Sequence, residues 1–281
     1  MAVAHRLDGV ELVSIDSMQV YRGMDIGTAK PTPAERAEVP HHLLDLVEPT
    51  HDFTVAEFQR AYSSVITAIG ERRGRALLVG GTGLYHRVVI DDFDLPGEWP
   101  DVRARLDAEP DTALLFTRLS ELDPDAATKM EPTNRRRVLR ALEVAIGSGR
   151  PFSSFGPGVD NYPPSAVTQV GLRWSRDVLS QRIAERVRRM IDDGLVAEVD
   201  ALRQRGLSRT ASQALGYKEI LETLDGRIGQ DEAIDMIITR TRQFAVRQER
   251  WFRRDPRVRW IDVEHDPVAE AAPAVIDAFD T

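Results

Sequence analysis

Twice near its start the chain passes from a short aliphatic, β-branched run through a polar or glycine-rich loop into a helical pattern, and this alternation constrains the fold more than any other feature. The first run, Val10 to Asp16, ends in the polar cluster Asp16, Ser17 and Gln19. The second, Ala76 to Val79, runs into Gly80, Gly81, Thr82 and Gly83. Between them, Thr54 and Glu57 form a capping-box pattern, and Val55, Phe58, Tyr62, Val65, Ile66 and Ile69 recur at helical spacing until Gly70 and Gly74. Continuous apolar strands separated by helices belong to parallel sheets covered on both faces. The fold class expected is therefore α/β. Ahead of the first strand, MAVAHRLDG reads as the last turns of a helix that stops at Gly9.

The middle of the chain changes character. From Leu95 to Gly149 it reads as short helices with proline starts, and no clear strand pattern interrupts them. A stretch rich in Gly, Pro and Ser, 147–164, follows, and Val167 to Trp174 restores a strand pattern. Helices near Asp177–Asp193 and Asp231–Arg254, a strand at Val258–Asp262 and a helix at Val268–Phe279 complete the pattern. The expected layout is an α/β core of residues 1–94 and 165–281, with a helical insertion, 95–164, whose chain returns to the original sheet. Gly23 to Pro40, with Pro31 and Pro33 inside it, is expected to be mostly loop.

Composition removes several classes of chemistry. The 281 residues contain no cysteine, which excludes disulfides, thiolate zinc sites, a thiol nucleophile and iron–sulfur ligation. No apolar run approaches the roughly 20 residues that span a bilayer, and Met1 to Arg6 lack a secretory pattern. A cytoplasmic protein without a membrane partner is expected. The net charge of −8 argues against nonspecific coating of nucleic acid, but the signs are segregated. Arg135, Arg136, Arg137 and Arg140 form one basic block and Arg240 to Arg254 another, while residues 262–281 carry acids and no Lys or Arg. Such helices fit either a solvated face laced with ion pairs or a polyanion contact.

Ligands of parallel α/β sheets bind beyond the carboxyl ends of the strands, which singles out the loops at Asp16 and Gly80. Taken alone, Asp16 fits a turn residue as well as a catalytic acid or base. Gly81 and Thr82 fit a tight turn as well as an anion site on free N–H groups. Adjacent His41 and His42, with no carboxylate at ligand spacing, favour a structural role over a metal site. Trp251 and Phe252 fit core packing at helical spacing or stacking on bases.

Read together, the blocks DSMQVYRGMDIGTAKP (Asp16 to Pro31), PHHLLD (Pro40 to Asp45), LLVGGTGLY (Leu77 to Tyr85), NRRRVLRALEV (Asn134 to Val144) and QALGYKE (Gln213 to Glu219) resemble the tRNA dimethylallyltransferase family, in order and over almost the whole chain. The resemblance is to its compact bacterial form, because no Cys-based zinc finger follows the second basic block. It implies a P-loop-NTPase-like parallel core with a helical insertion for tRNA. It also implies transfer of the dimethylallyl group of dimethylallyl diphosphate to N6 of the adenine 3′ of the anticodon, using Mg²⁺ and releasing diphosphate. Asp16 would be the general base and Thr82 would lie near the reacting groups. The implied contacts to the tRNA anticodon arm are Asp16, Ser17, Met18, Gln19, Arg103, Arg136, Arg137, Val138, Leu139, Arg140, Gln213, Ala214, Leu215, Gly216, Tyr217 and Lys218. No resident metal ligands are implied, and a monomer is expected.

The diphosphate end departs from the family pattern. Lys30, Lys129 and Lys218 are the only lysines, and none stands in a GxxxxGK[ST] phosphate loop, which the family places ahead of its Asp block. Arg182 and Arg186, four apart on one helix, either lend charge to the diphosphate or lie on a solvated face. The expectation is that the chain starts at an internal methionine, through a misplaced gene start or a deliberate truncation. As written it would be inactive or nearly so, and poorly soluble through an unpaired sheet edge. The rival readings are an adenylate isopentenyltransferase acting on free AMP, ADP or ATP, a non-catalytic tRNA-binding remnant and, more weakly, a nucleotide kinase.

Overall fold

Short strands alternate with helices along the chain, and of the strands only Val10–Ile15 is buried along most of its length. The computed structural model describes every residue except Pro157, Val159 and Thr281. Those parts of the 147–164 stretch and of the acidic tail lie outside the described residues. In chain order the elements are β1 (Val10–Ile15), α1 (Pro33–Glu38), β2 (His41–His42), α2 (Val55–Glu71), β3 (Arg75–Gly80) and α3 (Gly83–Ile90). Then come α4 (Pro100–Asp107), α5 (Thr112–Leu122), α6 (Pro124–Thr128) and α7 (Arg135–Ser148). The chain ends with β4 (Gln169–Trp174), α8 (Arg176–Asp192), α9 (Leu195–Arg205), α10 (Tyr217–Leu224), α11 (Gln230–Phe252), β5 (Val258–Val263) and α12 (Pro267–Asp280). The fold class is α/β, with parallel pairing throughout.

Two compact units divide the chain: Met1–Ile90 with Pro164–Thr281, and Asp91–Pro163. In the first, β1 lies between β2 and β3, with Leu12 opposite His41 and Ile15 opposite Gly80. The expected return of the chain to this same sheet does not occur: β4 pairs with β5, and the two make a separate two-stranded sheet. The outer edge of β3 meets no strand among the described residues, and Val79 on β3 is 52 % exposed. Helices join the two sheets instead, with α11 packing on α3, α8 and α10. A second departure lies within Gly23 to Pro40, where α1 forms because Thr32 and Glu35 make a reciprocal capping box with Pro33 at the first helical position.

The core of this unit joins its early and late segments. Val13, Tyr21, Met24 and Phe58 pack with Ile183, Val199, Leu202 and Tyr217 in one buried cluster. Each such side chain contributes about 1.5–3 kcal/mol by leaving water. The second unit has its own core, in which Leu119, Val138, Leu139 and Leu142 are buried. There the Glu143 carboxylate accepts hydrogen bonds from the Trp99 N–H (3.0 Å) and Arg140 (2.8 Å). No helix among the described residues is long and apolar enough to cross a membrane.

Buried Glu11 on β1 links three elements. Its carboxylate accepts Nε and Nη2 of Arg72, at 2.7 and 2.6 Å, and lies 2.5 Å from His42 Nε2. The Arg72 hydrogen bond, opposed by burial and supported by His42, holds the Glu11 carboxyl at about 2. A carboxyl depressed on folding stabilises the native state above its unfolded pKa, and that contribution disappears as pH falls from about 4.5 to 2. Glu11→Gln is therefore expected to cost about 2 kcal/mol at neutral pH in urea unfolding and to lose less at pH 2.5. An equal loss at both pH values would contradict this assignment.

Candidate active site

Because Ile15 and Gly80 lie opposite one another, the loops after β1 and β3 leave the sheet side by side. Asp16 opens the first loop. Its Oδ1 accepts the backbone N–H groups of Met18 (2.7 Å) and Gln19 (3.3 Å), a turn that fixes the carboxylate and leaves Oδ2 without a hydrogen-bond partner among the described residues. Thr82 ties the two loops together. Its hydroxyl accepts the Ser17 N–H at 3.1 Å and donates to Ser17 Oγ at 3.3 Å. A half-buried carboxylate with one free oxygen can take a proton from a group entering this corner.

The rest of the first loop is braced from within. Gln19 accepts the Ser14 hydroxyl at 2.8 Å and donates from Nε2 to the carbonyls of Thr28 (3.1 Å) and Ala29 (3.3 Å). Its amide is thus engaged by the protein, and Met18 packs against the core. The Lys30 side chain is 0 % exposed, and its three donors reach the Tyr21 carbonyl and the carboxylates of Asp25 and Asp45 at 2.6–2.7 Å. Burial works against the ionised Asp45, but Lys30 and Arg36 outweigh it and hold the carboxyl below its usual range.

Arginines of α8 stand near this corner. Arg182, Arg186 and Arg189, with Leu179, Ile183 and Glu185, line an open groove of about 380 Å³. The Arg182 guanidinium sits 4.3 Å from the Trp174 ring centroid. Much of the Arg186 side chain faces the groove, yet the protein around its guanidinium pushes it below its ordinary range, with Asp16 opposing that shift and Arg189 adding to it. Of the two arginines read from sequence, Arg186 is the one whose charged form Asp16 favours.

The remaining sequence-derived positions divide by what holds them. Gln213 is exposed and Leu215 and Lys218 are half-buried, whereas Ala214 and Tyr217 are buried and Gly216 turns the chain into α10 at φ 91°. In the separate second unit, Arg136 and Arg137 are exposed, with no side-chain partner among the described residues. Val138 and Leu139 point into that unit's core, so their side chains are not on its surface. Arg103 pairs with Asp107 at 2.8 Å, and Arg140 is bound to Glu143 and to the carbonyls of Pro96 and Gly97. His42 serves Glu11, and His41 Nδ1 lies 2.7 Å from the Val39 carbonyl. Lys30, Asp45 and Gln248 were not read from the sequence: the first two pair within the loop region itself, and Gln248 reaches Gly81 from far along the chain. The scarcity of lysine was the available signal for Lys30.

The glycines after β3 are required by close packing. A Cβ on Gly80 would lie 2.2 Å from the Ile15 carbonyl oxygen, one on Gly81 1.8 Å from Gln248 Nε2, and one on Gly83 2.3 Å from Trp251 Nε1. Gln248 also donates to the Gly81 carbonyl at 3.0 Å, and the Trp251 indole is used against Gly83. Backbone cannot yield at Gly80, whereas the end of the Gln248 side chain can swing away from Gly81. Gly80→Ala is expected to lower stability by about 1–3 kcal/mol, and Gly81→Ala by clearly less. Equal shifts of the urea midpoint would contradict that packing.

The chain is similar to known proteins over most of its length. The family model described as IPP transferase matches residues 19–255. A tRNA dimethylallyltransferase of Kineococcus radiotolerans is 49 % identical, covering 93 % of this chain and 85 % of its own length. Among solved structures, the full-length tRNA isopentenylpyrophosphate transferase of Bacillus halodurans is 40 % identical with a TM-score of 0.70, covering 99 % of this chain and 90 % of that one. A eukaryotic dimethylallyltransferase acting on tRNA shares the fold with a TM-score of 0.80 at 24 % identity, covering 98 % of this chain and 73 % of that one. With the family model matching residues 19–255 and these relatives covering most of the chain, this protein belongs to the IPP transferase family, that of the tRNA dimethylallyltransferases.

Proposed function

We propose that this chain transfers a dimethylallyl group from dimethylallyl diphosphate to N6 of the adenine 3′ of the anticodon in tRNA, acting as a cytoplasmic monomer. The observation that carries the reading is the Asp16 carboxylate, held by two backbone N–H groups with one oxygen open, beside Thr82. Adenine N6 attacks the allylic carbon, the carbon–oxygen bond to diphosphate breaks, and its electron pair leaves with the diphosphate. The N6 proton, acidic only as the new bond forms, passes to Asp16. Unstacking the adenine costs a few kcal/mol, which contacts to the neighbouring nucleotides must offset. Arg136 and Arg137, exposed and unpaired, are the members of the α7 block available to phosphates.

At the leaving group, Arg186 and Arg182 are the cations we assign to the diphosphate. Allylic diphosphates are generally handled with a divalent cation, and Mg²⁺ is the ion we propose. Among the described residues no group of three or more His, Cys, Asp or Glu side chains is placed to hold a metal. A resident protein cage for Mg²⁺ therefore does not fit the described side chains. The 281 residues also contain no GxxxxGK[ST] loop. We propose that diphosphate departure is slow in these 281 residues alone.

Transfer of labelled dimethylallyl diphosphate to tRNA and to AMP tests the reading, in the 281-residue chain and in a version extended N-terminally by a relative's phosphate loop. The extended protein is expected to label tRNA and not AMP, and the shorter one to label neither at a comparable rate. Replacing Arg136 and Arg137 together by Ala is expected to raise KM for tRNA about tenfold at low salt with little change in kcat, the difference shrinking as salt rises. Labelling of AMP as fast as of tRNA would overturn the assignment of acceptor. Equal rates with and without the added segment would overturn the claim about the phosphate loop.

A further inference from the structure

Three consecutive backbone N–H groups of the Asp16 loop converge on a carboxylate from another element. Asp25 and Ile26 donate to Oε2 of Glu198, on α9, at 3.0 and 2.8 Å, and Gly27 donates to Oε1 at 3.3 Å. A fourth donor is the Tyr217 hydroxyl, 2.6 Å from the same Oε1. Tyr217 is 0 % exposed, and a Cβ on Gly27 would lie 2.4 Å from its Cε2. Glycine is therefore forced at 27 by the ring, and the loop is seated on the hydroxyl and carboxylate together.

The seat continues to the reacting corner without a break. Just beyond Gly27, the carbonyls of Thr28 and Ala29 accept from Gln19 Nε2. The backbone N–H of the same Gln19 is one of the two that hold Asp16 Oδ1. Ala29 has φ 49°, a left-handed backbone that a non-glycine residue keeps only where its surroundings impose it.

Resting on the prenyl-transfer reading above, we propose that Glu198 and Tyr217 are positioning residues for that reaction. They lock residues 25–27 so that Gln19 keeps the Asp16 carboxylate turned toward its acceptor, and Tyr217 acts from the interior rather than as a contact to RNA. The four donors on one carboxylate make the two side chains a single device, so their effects do not add.

Steady-state kinetics of Glu198→Gln, Tyr217→Phe and the double variant test this, in the extended protein with tRNA and donor both varied. The expected result is a fall in kcat of about tenfold for each single variant, with KM for tRNA within about twofold and a double variant no slower than the slower single. A raised KM for tRNA at unchanged kcat, as a contact residue would give, overturns the proposal, and so does a multiplicative loss in the double variant. Hydrogen–deuterium exchange of the unmodified 281-residue protein gives a second reading that needs neither turnover nor a folded variant. Amides 25–27 are expected to be protected, and exchange at the rate of an unstructured peptide would overturn the latch. Failure of the unmodified extended protein to label tRNA would instead count against the function proposed above and leave the exchange result to decide the latch.

Discussion

The parallel register of β1 with β3 is the constraint on which the rest of the site depends. With Ile15 opposite Gly80, two loops leave the sheet at one point, and Asp16 and Thr82 become neighbours although they are far apart in sequence. A slip of one residue in that pairing would turn the slipped strand's side chains to the opposite face and separate the pair. Gly80 protects the register directly, because only a residue without Cβ allows the Ile15 carbonyl to approach so closely.

The loop that bears Asp16 is long and proline-bearing, yet it is fixed by ionic and polar bonds rather than by regular structure. Lys30 spends its three donors inside the loop and on Asp45, Glu198 collects the N–H groups of residues 25–27, and Gln19 spans the loop's width. A buried ammonium or carboxylate left without such partners would be costly, so each bond maintains the others. This explains how a segment with little helix or strand can hold a reactive carboxylate steady.

Much of the architecture was legible because periodicity reports burial directly. The aliphatic runs became β1 and β3, and the Thr54 and Glu57 capping box began α2 where expected. The short helix α1 was hidden by its prolines, although Thr32 and Glu35 carried the same box. The division into two sheets was not legible, since hydropathy along a strand does not specify which edge pairs with which. At the site, Asp16 and Thr82 stood out as residues following strands. Glu198 and Gln248 did not, because α9 and α11 read as ordinary amphipathic helices and the significance of both residues lies in loops more than a hundred positions away. The burial of Val138 and Leu139, which the family resemblance implied as tRNA contacts, was not legible from that resemblance: their apolar side chains lie in a core.

The proposed transfer centres on a carboxylate that accepts the amine proton during bond formation. Single-turnover transfer to tRNA, with donor and tRNA saturating in the extended protein, measures that step apart from binding and product release. Asp16→Ala is expected to slow it by about 10²–10⁴-fold while tRNA affinity changes little. An unchanged single-turnover rate in that variant would contradict the central claim.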